Sequence, residues 1–214
     1  GCPVRRVRVG IDNEAFARGR VPPAVLHTLG YGAVLDTGSA TVANNKRGHL
    51  AVELAATARL PLIAPTEPRT YWNYRAMADF YRRFEVLLAT SVVEGGPYAP
   101  LEAAACGIPS IVTDCGVMAE FFAHGGGTVL PVDEGQFRAG VLQKIEEYRA
   151  SPELLQADQL LALQAAERWA WTNVVHEWRE LFLSVARPTA GELPVRVVAP
   201  PTAPAPPGKF WLKT

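Results

Sequence analysis

The sequence predicts an α/β fold: a Rossmann-like, doubly wound parallel sheet closed by C-terminal helices. Three observations carry this. Short apolar runs alternate with segments of helical period along the first 130 residues. Those runs are apolar at successive positions, as strands buried on both faces are. The segment after them is helical throughout, with right-handed crossovers implied for the strands before it.

In chain order, Val4 to Val9 alternates apolar and basic residues and reads as a strand. Ala33-Val34-Leu35 is a second strand, followed by a Gly38-Ser39 turn. Leu50, Leu54 and Ala58 share one helical face, in a helix starting near Lys46 or Gly48. Leu60 to Ala64 is the next strand. Arg75 to Arg83 is helical, with Met77, Phe80 and Tyr81 spaced as one face. Phe84 to Ala89 is a buried strand. Pro100 to Cys106 is an Ala-rich helix ended by Gly107. Ile108 to Thr113 is a strand, Val117 to Phe122 a short helix, and Thr128 to Leu130 the last strand. Gln136 to Ala150 and Glu153 to Val185 are long helices. The second is expected to break near Trp169 to Thr172, where Thr172 could cap a new helix. Residues 1–187 thus form one domain, and 188–214 a Pro-rich tail of extended type or a surface strap.

Composition narrows the function. The 214 residues carry 21 Lys plus Arg and 21 Asp plus Glu, a net charge of zero, so no nucleic-acid footprint stands out. No apolar run reaches the roughly 18 residues of a membrane helix, so no span is expected. Gly1 to Arg8 is polar and basic with no apolar stretch behind it, so no signal peptide is expected. Cys2, Cys106 and Cys115 are odd in number and form no C-x-x-C pair, which suits buried thiols in a reducing cytoplasm. His27, His49, His124 and His176 are scattered, so neither a metal site nor a His base is expected.

In an open parallel sheet, ligands sit beyond the carboxyl ends of the strands. The most informative loop there is Thr90 to Glu102, a buried strand running into a Gly-rich turn and then a helix. Glycines let backbone approach a ligand closely. The free amides at the helix start suit a phosphate, and Pro100 near that start wastes none. Glu94 and Glu102, with seven residues between them, can face one cleft. A carboxylate accepts two hydrogen bonds at once, which matches the vicinal hydroxyls of a ribose or sugar. Taken singly, Glu102 also reads as dipole compensation and Glu94 as a loop cap.

Glu94 to Glu102, continued by Ala103-Ala104-Ala105-Cys106-Gly107-Ile108-Pro109-Ser110-Ile111-Val112, resembles the E-x7-E signature of retaining GT-B glycosyltransferases, glycosyltransferase family 4 above all. There the motif reads approximately E-G-F-G-x-x-x-x-E-A-x-A-x-G-x-P-V-I. The flanks are similar too: Val9 to Phe16 to the turn that opens the family's C-terminal domain, Lys46 to His49 to its K-G segment, Asp114 to Glu120 to its d-x-G-G-x-x-E stretch, and Trp171 to Val174 to its closing helices. The likeness covers residues 7–186 and implies one half of a GT-B fold.

The resemblance implies that Glu102 binds ribose hydroxyls of a nucleotide-sugar and that the catalytic Glu94 lies beside the donor sugar. It implies that the amides of Gly95, Gly96 and Tyr98 hold the sugar and diphosphate, and that Lys46 neutralises the diphosphate. UDP- or GDP-sugars are favoured, with no further cofactor. The sequence departs from the pattern at Ser39, where the family has Arg, with Arg47, Arg5 or Arg6 as substitutes. Pro97 stands in place of a Gly, and Gly96 in place of an aromatic that Tyr98 partly restores. The acceptor half of a GT-B enzyme is not matched, which implies an acceptor domain or a partner chain; Tyr71, Trp72 and Tyr74 are candidates to face it. The leading expectation is the donor half of a glycosyltransferase. The alternative is a non-catalytic GT-B-like binding or assembly module that needs a partner chain, and a nucleotide-sugar epimerase is a third.

Overall fold

The computed structural model describes residues 6–16, 21–35, 44–65 and 74–186. Within them a five-stranded sheet, every pair parallel, runs in the order β2-β1-β3-β4-β5. The strands are β1 (Leu29–Tyr31), β2 (Leu62–Ile63), β3 (Val86–Ala89), β4 (Ser110–Thr113) and β5 (Gly127–Leu130). Between and after them lie α1 (Asn13–Phe16), α2 (Gly48–Thr57), α3 (Tyr74–Tyr81), α4 (Tyr98–Ala105), α5 (Met118–Phe121), α6 (Glu134–Ala150), α7 (Pro152–Arg168) and α8 (Trp171–Val185). This is the doubly wound α/β sheet with C-terminal helices that the sequence predicts.

The three central strands, β1, β3 and β4, bury both faces, β2 and β5 at the edges are half-buried, and the sheet divides two cores. Val86 and Leu88 of β3 and Ile111 of β4 join Leu50 and Leu54 of α2 and Phe137, Val141 and Ile145 of α6 on one side. Leu87 and Val112 join Phe80 and Tyr81 of α3, Leu101 and Ala103 of α4, and Ala162 and Ala165 of α7 on the other. The helical faces read from the sequence supply both layers. Burying such side chains stabilises by roughly 1.5–3 kcal/mol each, which makes these apolar periods decisive for the fold.

Four local expectations are corrected. Residues 6–10 enter no sheet. The chain's opening is instead drawn to the C-terminal helices: Ile11 N donates to Trp169 O at 2.9 Å, and Trp171 N donates to Ile11 O at 3.0 Å. The strand expected at 33–35 lies at Leu29–Tyr31. Gly30 tolerates the close approach of the Phe84 ring, where a Cβ would stand 2.2 Å from Cε2. That glycine interrupts the apolar pattern by which strands are read. The last helix does break at Trp169 and Ala170, but Ala170 holds the N-cap position and Thr172 lies inside α8. Pro100 is the third residue of α4, after an N-cap at Pro97. The Pro-rich tail, Ser39, Arg5, Tyr71 and Trp72 lie outside the described residues.

Candidate donor site

The loops that leave β1 and β3 open at the carboxyl end of the sheet, where α2, α3 and α4 meet them. They enclose a cavity of about 270 Å³ whose walls include Lys46, Glu94, Tyr98 and Glu102, with Tyr31, Tyr81, Thr90 and Ser91. Four of the seven residues proposed from the sequence thus share one cavity: Lys46, Glu94, Tyr98 and Glu102.

Lys46 is placed by its own backbone. Its carbonyl accepts from the Tyr31 hydroxyl at 2.8 Å and from the fully buried Thr90 hydroxyl at 2.6 Å. The next residue, Arg47, adopts left-handed backbone with φ 48° and ψ 46°, so the chain turns sharply into α2. Two hydroxyls from the ends of β1 and β3 therefore fix where the lysine starts. Its ammonium then meets the Glu94 carboxylate in an ion pair across the cavity. Glu94 is the less exposed of the two, with 16% of its side chain accessible against 35% for Lys46.

Arg47 does not join them. Its guanidinium is buried, donating from Nε to Thr90 O at 2.6 Å and from Nη1 to Val132 O at 3.0 Å, over the Phe137 ring. The same left-handed turn that presents Lys46 to the cavity sends Arg47 into the core beneath it. It ties the α2 start to the β3 and β5 loops and does not line the cavity.

Gly95 and Gly96 form the turn after Glu94 and lie beside the cavity rather than on its wall. A Cβ on Gly95 would meet nothing within 4 Å. The turn rests on Gly116, whose φ is +61° and where a Cβ would come within 2.7 Å of Glu94 O and 2.9 Å of Gly95 O. Pro97 then starts α4 without a side-chain cap. The first amides of a helix have no partner within it, so those of Tyr98 and Ala99 are available as donors at this end.

Glu102, one turn into α4, is largely buried. Tyr81 of α3 donates its hydroxyl to Glu102 Oε2 at 2.7 Å. Burial pushes the Glu102 carboxyl above the usual carboxylate range, and the Tyr81 hydrogen bond works against that rise. Burial likewise raises the Tyr31 phenol. Cys106, the residue just after α4, is pushed up to about 12 by burial, so it is an inert thiol. Cys115 is also raised, again by burial first.

The sequence reading missed Tyr31, Thr90 and Tyr81 as site residues. Tyr81 carries a legible signal: a phenol inside an apolar helical face needs an acceptor when it is buried. Tyr31 and Thr90 carry none, because they act on a backbone carbonyl that only the folded turn brings to them. Among the described residues no group of three or more His, Cys, Asp or Glu could hold a metal ion. Among them, too, no helix is long and apolar enough to cross a membrane.

Residues 47–147 match the family described as Glycosyl transferases group 1. No curated protein matches the chain by sequence. Several solved structures match its fold. Sucrose-phosphate synthase from Thermosynechococcus elongatus is 16% identical with a TM-score of 0.59, covering 85% of this chain and 52% of its own. Anabaena HepE, solved with UDP and glucose, is 15% identical with a TM-score of 0.57, covering 84% of this chain and 56% of its own. The pneumococcal O-GlcNAc transferase GtfA, solved with UDP and GlcNAc, is 20% identical with a TM-score of 0.56, covering 84% of this chain and 38% of its own. The likeness is one of fold, that of GT-B glycosyltransferases, and the chain spans about half or less of the length of these structures.

Proposed function

We propose that this chain is the donor-binding half of a retaining, family-4-like GT-B glycosyltransferase that holds a nucleoside-diphosphate sugar. The observation that carries the reading is the meeting of Lys46, Glu94 and Glu102 in one cavity at the carboxyl end of a parallel sheet. Each has a task there. Glu102, an acceptor-only carboxylate when ionised, binds the ribose hydroxyls. Lys46 faces the diphosphate, and the first amides of α4 add to its hold. A departing nucleoside diphosphate gathers negative charge, and a fixed cation with helix amides stabilises it as the bond breaks. Glu94 stands beside the sugar, and the Gly95–Gly96 turn keeps space for it. Arg47 acts on the backbone under the site and is not one of the ligand's contacts in this reading.

HepE and GtfA were solved with UDP and a sugar, and starch synthase IV from Arabidopsis with ADP and acarbose; this supports a nucleoside-diphosphate sugar as the ligand class, and UDP or GDP is favoured from the sequence resemblance. The acceptor half is supplied by a further domain or a partner chain. The unpaired thiols Cys106 and Cys115 support placement in the cytoplasm.

Calorimetric titration with UDP, GDP and ADP, then with the matching sugar nucleotides, tests this. One nucleotide should bind in the micromolar range, and Glu102→Ala should weaken it by about 1–3 kcal/mol as its hydroxyl partners are lost. Binding to none of them overturns the donor reading and moves the non-catalytic assembly module ahead.

A further inference from the structure

We infer that Tyr81 is a positioning residue for the donor site: its hydroxyl fixes the Glu102 carboxylate so that the group is presented, ionised and correctly turned, to the vicinal hydroxyls of a ribose. This rests on the donor-site reading above and adds to it a residue that reaches the ligand only through Glu102.

The geometry is specific. Tyr81 is the last residue of α3 and is fully buried. Its ring stands edge-on to Phe80, with centroids 5.5 Å apart, and to Phe84 at 6.2 Å. Such packing leaves a phenol little freedom to swing, so the direction in which its hydroxyl points is set by the core. That direction is toward Glu102 Oε2, at 2.7 Å. Glu102 has several rotatable bonds of its own; one short bond from an immobile donor selects among them. With one lone pair of Oε2 engaged, the second lone pair of Oε2 and those of Oε1 are left to accept from two neighbouring hydroxyls.

The same bond serves the charge. A buried carboxyl tends to keep its proton, and a protonated one spends an oxygen as donor. A hydroxyl donated to the carboxylate favours the ionised form. The groups that surround Glu102 leave Tyr81 as the one that does so by direct contact among the described residues. Along α4, Cys106 is the titratable neighbour, and Arg82 and Asp79 of α3 act on that thiol. Glu94 and Lys46 line the same cavity, paired with each other. Strands β3 and β4 bring no charged side chain, α7 packs against α4 with Ala162, Ala165 and Ala166, and Glu14 of α1 is exposed.

Tyr81→Phe removes the hydroxyl and keeps the ring, so the aromatic packing survives. The probes are UDP and its 2′-deoxy and 3′-deoxy forms, with GDP or ADP and their deoxy forms if either binds more tightly. For Tyr81→Phe the affinity for the ribonucleotide should fall roughly tenfold at neutral pH, as for loss of one hydrogen bond to a charged group. The deoxy forms should lose much less, because they lack the contact that Glu102 makes. The fall should deepen at mildly acidic pH, where the variant's Glu102 takes up its proton before the wild type's does. In a Glu102→Ala background the Tyr81 substitution should add nothing. Equal losses for ribo and deoxy ligands, or additive losses in the double variant, overturn the proposal in favour of a purely packing role.

A second readout needs no ligand. Carbon NMR titration of the Glu102 carboxyl should show its midpoint moving to higher pH in Tyr81→Phe. An unmoved midpoint overturns the inference whatever nucleotide the protein takes. A moved midpoint in a protein that binds no nucleotide instead overturns the donor-site reading, and the ribose role with it.

Discussion

At the scale of single residues, the site is built from charges held by uncharged partners. Lys46 depends on Tyr31 and Thr90, and Glu102 on Tyr81. The charged members were legible in the sequence through the resemblance of Glu94 to Glu102 and of Lys46 to His49 to a family's motifs, since each residue taken singly has an ordinary structural use. Their holders were not, since a hydroxyl that grips a carbonyl or a carboxylate across the fold leaves no local pattern. Arg47 shows the converse: adjacent to Lys46 in sequence, it is sent into the core by a left-handed turn that spacing does not reveal. Glu102 also sets function against stability. Its folded-state pKa is raised by burial, so the fold keeps a proton at pH values where the unfolded chain has released it. Its contribution to stability is therefore best at low pH and is lost as pH rises from the ordinary carboxylate range through the raised value. Glu102→Gln, which still accepts from Tyr81, should raise the thermal midpoint at pH 7, with the gain shrinking toward pH 4. Scanning calorimetry at the two pH values checks this.

Elements were predicted well where burial is two-sided and the run unbroken. Strands β3 and β4 and helices α2, α6 and α7 fall where their periods put them. The errors came at contacts the chain makes with distant parts of itself. Gly30 makes room for Phe84, and the strand it belongs to lies four residues before the apolar run at 33–35 where the pattern puts it. The basic opening segment looked like a strand by alternation, yet its partners are a helix terminus and Glu177. At the site, the contact that matters is between two loops: the one after β4 supports the one after β3 through Gly116. Any side chain there would meet backbone oxygens of Glu94 and Gly95, and the left-handed conformation alone costs a non-glycine residue about 1–2 kcal/mol. Gly116→Ala should therefore destabilise by at least that much in denaturant titrations. It should also weaken nucleotide binding by displacing Glu94, although residue 116 is not on the cavity wall.

At the scale of the whole molecule, the two ends of the described chain close on each other. Glu177 of α8 accepts from the Arg8 backbone N at 3.0 Å and from its Nε at 2.7 Å, while Trp178 Nε1 donates to Arg8 O at 2.7 Å. Gly10 has no room for a side chain beside the Trp171 ring, at 2.2 Å from a built Cβ. Since α8 buries little else than Val174, this seam holds it. Glu177→Ala should destabilise the docking of α8 by about 1.5–3 kcal/mol, the range for bonds to a charged group. The test is faster hydrogen exchange in α8, with β3 and β4 amides unchanged. The division into two cores has a further consequence. Tyr31, which holds the Lys46 carbonyl, and α2, which follows Lys46, belong to the packing on one face of the sheet, while Tyr81 and α4, which carries Glu102, belong to the other. The sheet stands between these two masses of side chains, and the cavity is lined by residues from both. A molecule that touches Lys46 and Glu102 together is then a tie between the two layers, and the packing of each layer bears on how far apart its two grips stand.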